Sequence, residues 1–147
     1  MKNSNIIYVF LIQLFALYAC SKKIASFKVN ADDKTVEYKM LIPKGYEYVP
    51  IDYQHARGKV FLYPDSSSLF FTNDIKSGMI YPEKFKKYGS DVGMKFLTND
   101  TLVLNGTDDK GRYWEERKIK NVVYGYMKVP LDKKETFDKL LNSITTK

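Results

Sequence analysis

Apolar and polar residues alternate at several places along the chain after residue 30, which is the period of a β-strand. The clearest case is KTVEYKMLIP, in which alternation puts four apolar residues on one face: Val36, Tyr38, Met40 and Ile42. The run ends at Pro43 and Gly45, residue types that interrupt a strand. The pattern therefore predicts a strand that is buried on one face.

Two other apolar segments, GKVFLYP and SLFFTND, flank the turn-forming residues 64–67. They predict a hairpin of central strands, because continuous apolar runs are typical of strands buried on both faces. Residues 101–130 predict two or three consecutive antiparallel strands, with turns at 105–111 and near Asn121. Residues 77–95 hold three glycines and one proline, which favours a connecting excursion with only a brief helix around 82–88.

The apolar period changes near the C-terminus, where four residues follow the spacing of one helical face: Phe137, Leu140, Leu141 and Ile144. Asp132 and Glu135 have the spacing of a capping box, with Asp132 as the N-cap. The apolar stripe of this helix needs a partner, and the face of an antiparallel sheet supplies one. The predicted fold class is α+β: an antiparallel sheet with a C-terminal amphipathic helix packed on it, after an N-terminal signal peptide.

The N-terminal leader has the layout of a secretory signal: Lys2 precedes an apolar stretch, 6–19, broken only by Gln13. A helix through this stretch would be about 21 Å long, shorter than the roughly 30 Å hydrocarbon core of a bilayer. The final residues, Leu17-Tyr18-Ala19-Cys20, resemble the lipobox of bacterial lipoproteins, in a looser form similar to those of Bacteroidota. The resemblance implies that Cys20 becomes an acylated N-terminus, with palmitate-type chains that anchor it in a membrane.

The lipobox implies a division of the chain into a signal peptide (1–19), a lipidated N-terminus and tether (20–31) and one α+β domain (32–147). Ser21 is similar to the residue found in lipoproteins sorted to the outer membrane, and no acidic cluster follows Cys20. The expected location is therefore the cell envelope, at the outer membrane and facing the periplasm. The alternative is a plain signal peptide in which Cys20 is incidental.

The order of elements, with IPKGY ending a strand, FLYPDSS forming a turn and FDKLLNS in a closing helix, resembles the PsbP/Mog1-like fold. This resemblance implies a fold only, because such proteins share no single chemistry.

Charge and composition narrow the classes of function. The net charge is +7 and the pI is about 9.3, but the basic residues are interleaved with acids, which argues against a nucleic-acid partner. One histidine and one cysteine do not form a zinc or transition-metal site, so we expect no metal and no cofactor. A catalytic triad through His55 has no accompanying nucleophile motif.

Five residues of GYEYVPIDYQHARG are candidates for ligand contacts: Tyr46, Tyr48, Tyr53, His55 and Arg57. Exposed aromatic rings beside polar groups can stack on sugars or anchor a protein partner. The alternative is that these tyrosines bury their rings at the edges of strands.

Other polar residues favour structural roles. Asp108 and Asp109 could ligate calcium but are typical of a turn, and Trp114 is expected in the core. Lys84, Lys86 and Lys87 predict a basic patch that is either a solvated face or a contact for lipid headgroups.

The sequence therefore predicts a membrane-anchored envelope lipoprotein whose domain is a non-catalytic binding or accessory module. Its expected partners are the membrane, through the lipid, and an envelope protein or glycan. One alternative is an envelope-polymer hydrolase that uses carboxylates and His55; another is an inhibitor or immunity lipoprotein.

Overall fold

The protein is described by a computed structural model that covers residues 22–31, 34–53, 56–76, 78–80 and 83–147. Over these ranges the strands are β1 (Lys22–Ala31), β2 (Lys34–Pro43), β3 (Glu47–Tyr53), β4 (Ala56–Leu62), β5 (Ser68–Thr72), β6 (Thr101–Thr107), β7 (Tyr113–Ile119), β8 (Val122–Val129) and β9 (Thr145–Thr146). The helices are α1 (Glu83–Tyr88), α2 (Asp91–Thr98) and α3 (Leu131–Leu141). The predicted signal peptide, the lipidation site Cys20 and the candidate ligand residue His55 lie outside the described residues.

The strands form two antiparallel sheets, and the α+β fold class is confirmed. The larger sheet has six strands in the order β3-β4-β5-β8-β7-β6, and the smaller has the order β1-β2-β9. The predicted central hairpin is β4–β5, and the predicted meander is β6–β7–β8. Both predictions are confirmed, although the sequence indicated one sheet where the structure has two.

Burial follows the alternation that predicted the strands. In β2, the side chains of Tyr38, Met40 and Ile42 are buried and face the larger sheet, while their neighbours are more exposed. All five residues of β5 are buried, because this strand lies inside the sheet and is covered on both faces. The six-stranded sheet is therefore the middle layer of the domain.

Different elements cover the two faces of that middle layer. On one face, which we call the aromatic face, β1, β2 and α3 enclose a core that contains the rings of Phe27, Phe71, Tyr124 and Phe137. On the other, which we call the α1 face, the helices α1 and α2 enclose a smaller core around Phe70, Phe96 and Trp114.

Two segments differ from their predictions. The expected flexible tether is wrong from Lys22 onward, because Lys22–Ala31 pair with β2 along their whole length and bury Ala25, Phe27 and Val29. The excursion predicted over 77–95 contains α1, as its brief helix indicated, but also the unexpected α2. Val92 and Phe96 lie four residues apart and bury one side of α2, although Gly93 lowers its intrinsic helix propensity.

The C-terminal helix is confirmed, but its predicted cap is wrong. Helix α3 buries Phe137, Leu140 and Leu141, whereas Ile144 packs on the core from beyond the helix end. The N-cap is Pro130, whose carbonyl accepts from the N–H of Lys133 at 3.1 Å. Asp132 lies inside the first turn, where its charge still complements the helix dipole.

Candidate functional site

The candidate ligand residues of the β3–β4 hairpin do not converge on one site. Tyr48 is opposite Phe61 on the aromatic face, whereas Tyr53 is opposite Ala56, and its odd spacing from Tyr48 puts it on the α1 face. Five residues of strand also separate the two tyrosines by roughly 17 Å. Arg57 is exposed beside Asp52 near the Tyr53 end, with 3.9 Å between Nε and the carboxylate.

Tyr46 belongs to the core more than to the surface. Its ring meets Phe61 edge-on, with centroids 5.0 Å apart, and lies 6.3 Å from the ring of Tyr63. Tyr63 in turn donates its hydroxyl to the carbonyl of Pro43 at 3.1 Å and packs on Phe137. The ring of Tyr46 is therefore partly buried against the core, while Tyr48 and Tyr53 remain 49% and 75% exposed.

A cavity lies where α1 approaches the turn between β6 and β7, and we call it the Trp114 pocket. Its volume is about 640 Å³. It is lined by Glu83, Lys86, Lys87, Asn105, Gly106, Thr107, Asp108, Asp109, Tyr113, Trp114, Glu115 and Lys134. Such a volume is within the range that accommodates a small ligand.

Trp114 is buried beside this pocket, as expected from the strand period, and its indole N–H is unsatisfied. The side chain is 2% exposed, and no acceptor among the described residues bonds to Nε1. A buried donor without a partner costs about 1–3 kcal/mol. A ligand that brought an oxygen acceptor to Nε1 would recover part of that free energy.

Gly106 of β6 makes room for the indole. A Cβ at position 106 would be 2.7 Å from Cζ2 of Trp114, which is closer than real contacts, and 3.1 Å from Nε1, which is tighter than most of them. Gly106 and Trp114 both line the pocket, so the indole lies at the pocket wall beside Gly106. Tyr88 of α1 packs edge-on against the same indole, with centroids 6.4 Å apart.

Most charged groups around the pocket are already paired. Lys86 contacts Asp109 at 2.9 Å, Glu115 contacts Arg117 at 2.6 Å, and Lys134 contacts Asp138 at 2.6 Å. The Nζ of Lys87 donates to the carbonyl of Asn105 at 2.8 Å. The rim therefore offers polar groups of both signs, held in place by neighbours.

Asp108 organises the β6–β7 turn that forms one wall of the pocket. Its carboxylate accepts from the backbone N–H groups of Lys110 and Arg112, each at 2.9 Å, and from the guanidinium of Arg112. Although partial burial opposes ionisation, these donors together lower the pKa of Asp108. The turn role expected for this residue is confirmed, and Asp109 contributes a surface ion pair to α1.

A buried ion pair fixes the helix that carries the other wall. Lys84 of α1 contacts Glu116 of β7 at 2.9 Å, and their side chains are 1% and 0% exposed. Glu116 also accepts from the N–H groups of Met79 and Ile80, at 2.5 and 3.2 Å, and Lys84 lies 4.2 Å above the ring of Phe96. Burial raises the pKa of Glu116 despite these favourable partners.

The basic patch predicted from Lys84, Lys86 and Lys87 is wrong for Lys84, which is buried in this ion pair. Only Lys86 and Lys87 are exposed, because Lys84 points inward at the α1 face. The strand period of β7 correctly predicts Glu115 and Glu116 on opposite faces, but it does not tell which cation reaches Glu116. A second lysine, Lys118, is also buried on that face and donates to the carbonyl of Phe96.

Neither a metal cluster nor a membrane-spanning helix is found within the described ranges. No three His, Cys, Asp or Glu side chains there come together as metal ligands. Of the helices in that part of the chain, none has the length and hydropathy that a bilayer span requires.

Comparisons with protein-family models, with curated proteins and with solved structures all found no match to this chain. The resemblance to the PsbP/Mog1-like fold stays a prediction.

Proposed function

We propose that the protein is a membrane-anchored envelope lipoprotein whose α+β domain is a non-catalytic binding module. The observation that carries the anchor is the tetrapeptide Leu17-Tyr18-Ala19-Cys20 at the end of an apolar leader. An acylated Cys20 would hold the domain stably, since each buried CH₂ contributes about 0.8 kcal/mol. The proposed location is the outer membrane, on the periplasmic side.

The Trp114 pocket is the proposed binding site. It combines a cavity of about 640 Å³ with a buried N–H donor that lacks an acceptor among the described residues and with fixed groups of both charges at its rim. These features favour a compact polar ligand, or a protruding group of an envelope protein or glycan, that presents an oxygen acceptor.

Binding is favoured over hydrolysis by the state of the carboxylates near the pocket. A glycosidase needs two carboxyl groups that share one cleft. Four carboxylate residues line the Trp114 pocket, but three of them are already paired with a cation: Asp108 with Arg112, Asp109 with Lys86 and Glu115 with Arg117. Asp108 is committed to its turn, which leaves it poorly suited to move a proton.

The anchor is tested by the intact mass of the protein from the membrane fraction, compared between the native chain and Cys20→Ala. We expect a mature N-terminus at Cys20 that carries acyl mass, and loss of that mass in the variant. An unacylated, water-soluble product would overturn the lipoprotein proposal.

The binding site is tested by photo-crosslinking in intact cells. A photoreactive residue at Thr107, which is exposed and lines the pocket, is compared with one at Thr35, which is exposed on β2. We expect an envelope adduct at position 107 and none at position 35. Equal yields at the two positions would contradict the pocket as the binding site.

A further inference from the structure

The start of β1 places one end of the domain beside the proposed anchor. Lys22, the first residue of β1, follows Cys20 by two positions, so the chain between them spans at most about 7 Å. Lys22 is opposite Pro43 in the register of β1 and β2. We call the residues Lys22, Lys23, Pro43 and Lys44 the anchor end.

The anchor end is part of a rigid layer. The hydroxyl of Tyr63 donates to the carbonyl of Pro43 at 3.1 Å, which ties the smaller sheet to the turn that follows β4. Farther from the anchor, Lys59 of β4 donates to the carbonyl of Ser26 of β1 at 2.7 Å. Because two bonds hold β1–β2 to the larger sheet, the orientation of β1 sets the orientation of the domain.

The anchor end is positively charged. Lys22, Lys23 and Lys44 are exposed, and none of them has an ion-pair partner among the described residues. Asp65, in the turn that follows β4, is already paired with Lys133 at 2.5 Å. In contrast, the sequence that joins β1 to β2 at the other end contains Asp32 and Asp33.

Exposed apolar residues lie next to these lysines. Ile24 and Leu41 are register partners, and they are 62% and 38% exposed. Their neighbours Ala25 and Met40 point inward to the core, so the pair lies on the outer face of the smaller sheet. Basic side chains beside exposed aliphatic ones are suited to the headgroup region of a bilayer.

We propose that the anchor end docks onto anionic phospholipid headgroups, so that β1 and β2 stand away from the membrane. This inference rests on the proposed lipidation of Cys20 and adds the orientation of the domain to it. Lys22 lies at most about 7 Å from the anchor and Lys23 at most about 11 Å, which is comparable to the roughly 8–10 Å Debye length over which a charged surface attracts them. The far end of β2 would then be about 30 Å from the bilayer.

Two lysines that flank β2 provide a matched test. Lys44 follows the strand at the anchor end, Lys34 begins it at the far end, and both are exposed. In acylated protein the thiol of Cys20 is blocked, so Lys44→Cys and Lys34→Cys each carry one reactive thiol. Each variant is labelled with a fluorophore and reconstituted in phosphatidylglycerol–phosphatidylethanolamine vesicles that contain a headgroup nitroxide quencher.

We expect more quenching at position 44 than at position 34, because Lys22 and Lys23 still hold the anchor end at the headgroups after Lys44 has been replaced. Equal quenching at the two positions, in protein whose acyl mass has been confirmed, would overturn the docking and leave the lipoprotein proposal intact. Absence of acyl mass in the same preparation would overturn both, so the two failures are distinguishable.

The role of charge is tested in the labelled Lys44→Cys protein, in which Lys22 and Lys23 are the two remaining lysines of the anchor end. Lys22→Gln and Lys23→Gln should each lower the ratio of docked to undocked domain about fivefold. Lys28→Gln is the control, since Lys28 is exposed on the same strand but about 20 Å farther from the anchor. An unchanged ratio in all three variants, or the same loss in Lys28→Gln, would contradict docking by the anchor end.

Discussion

The two faces of the six-stranded sheet bury very different side chains. The aromatic face joins rings such as Phe71, Tyr126 and Phe137 into one apolar core, and the ion pair Glu115–Arg117 on this face stays partly in contact with solvent. The α1 face encloses the pair Lys84–Glu116 completely. One sheet thus has a face held mainly by area burial and a face held partly by enclosed charge.

This difference changes how each face responds to mutation. Apolar burial adds up over many weak contacts, so losing one side chain removes a part of the whole. A buried ion pair contributes little net free energy while it is complete, but loss of one partner leaves the other charged and desolvated. The α1 face should therefore be the more sensitive to a single polar change.

The largest effect is expected from Glu116→Ala. It leaves Lys84 without its carboxylate and leaves two backbone N–H groups without their acceptor. We expect the free energy of unfolding to fall by about 3–5 kcal/mol, measured by urea denaturation.

The control for this change is Asp109→Ala, which breaks the exposed pair with Lys86 on the same helix. We expect it to leave the free energy of unfolding almost unchanged. Replacing both members of the buried pair, with Lys84→Met and Glu116→Leu, should cost less than Glu116→Ala alone. If Glu116→Ala were no worse than Asp109→Ala, the enclosed pair would not support the α1 face.

On the aromatic face, Leu140→Ala should cost about 2–5 kcal/mol, because Leu140 is 1% exposed and its removal leaves a cavity. Leu131 of the same helix is 71% exposed, and Leu131→Ala should change stability by no more than about 0.5 kcal/mol. Thermal and urea unfolding measure both. A similar loss of unfolding free energy in the two variants would contradict the packing of α3 on the core through Leu140.

Two glycines sharpen the comparison at the edge of the ion pair. Gly78 has φ +63°, and a Cβ there would be 2.3 Å from Oε1 of Glu116. Gly45 has φ +87° but nothing within 4 Å. Both alanine variants share a backbone cost of about 1–2 kcal/mol. Gly78→Ala should lose about 1–3 kcal/mol more, through overpacking; equal losses would mean that Glu116 yields freely.

The smallest effect is a pH dependence near the first turn of α3. Partial burial opposes ionisation of Asp65, but hydrogen bonds from Lys133 and Ser67 prevail and lower its pKa to about 2. Because its unfolded pKa is about 3.9, Asp65 stabilises the fold above that pH, and the contribution is lost as pH falls toward about 2. Asp65→Asn should flatten the stability profile over this window, and an unchanged slope would exclude the assignment.

Much of the fold could be predicted because apolar period directly reflects burial. The alternation in β2 and the apolar runs of β4 and β5 marked strands that the structure contains. The same alternation is present in β1, where Phe27 and Val29 alternate with polar residues. The lipobox that precedes this segment predicts a tether there, and this prediction is wrong. Helix α2 gave a weaker signal, because eight residues with an internal glycine carry little intrinsic preference.

The candidate site was harder to predict, because its parts are distant in sequence. Trp114 was expected in the core, but the pocket forms only where α1 meets the β6–β7 turn. Tyr48 and Tyr53 are close in sequence, yet the pleat of β3 turns them to opposite faces. Two residues that are close along one strand therefore do not necessarily share one surface.

By itself, the sequence determined the α+β class, the central hairpin, the meander and the C-terminal helix, because period and turn residues act over short stretches of chain. It also determined that Glu115 and Glu116 point in opposite directions. Only the tertiary structure decided that Lys84 is buried against Glu116, that Gly106 leaves space for the indole of Trp114 and that β1 belongs to the domain. The apolar period of a sequence does not show which charged side chains are buried, because their environment depends on which distant element packs against them.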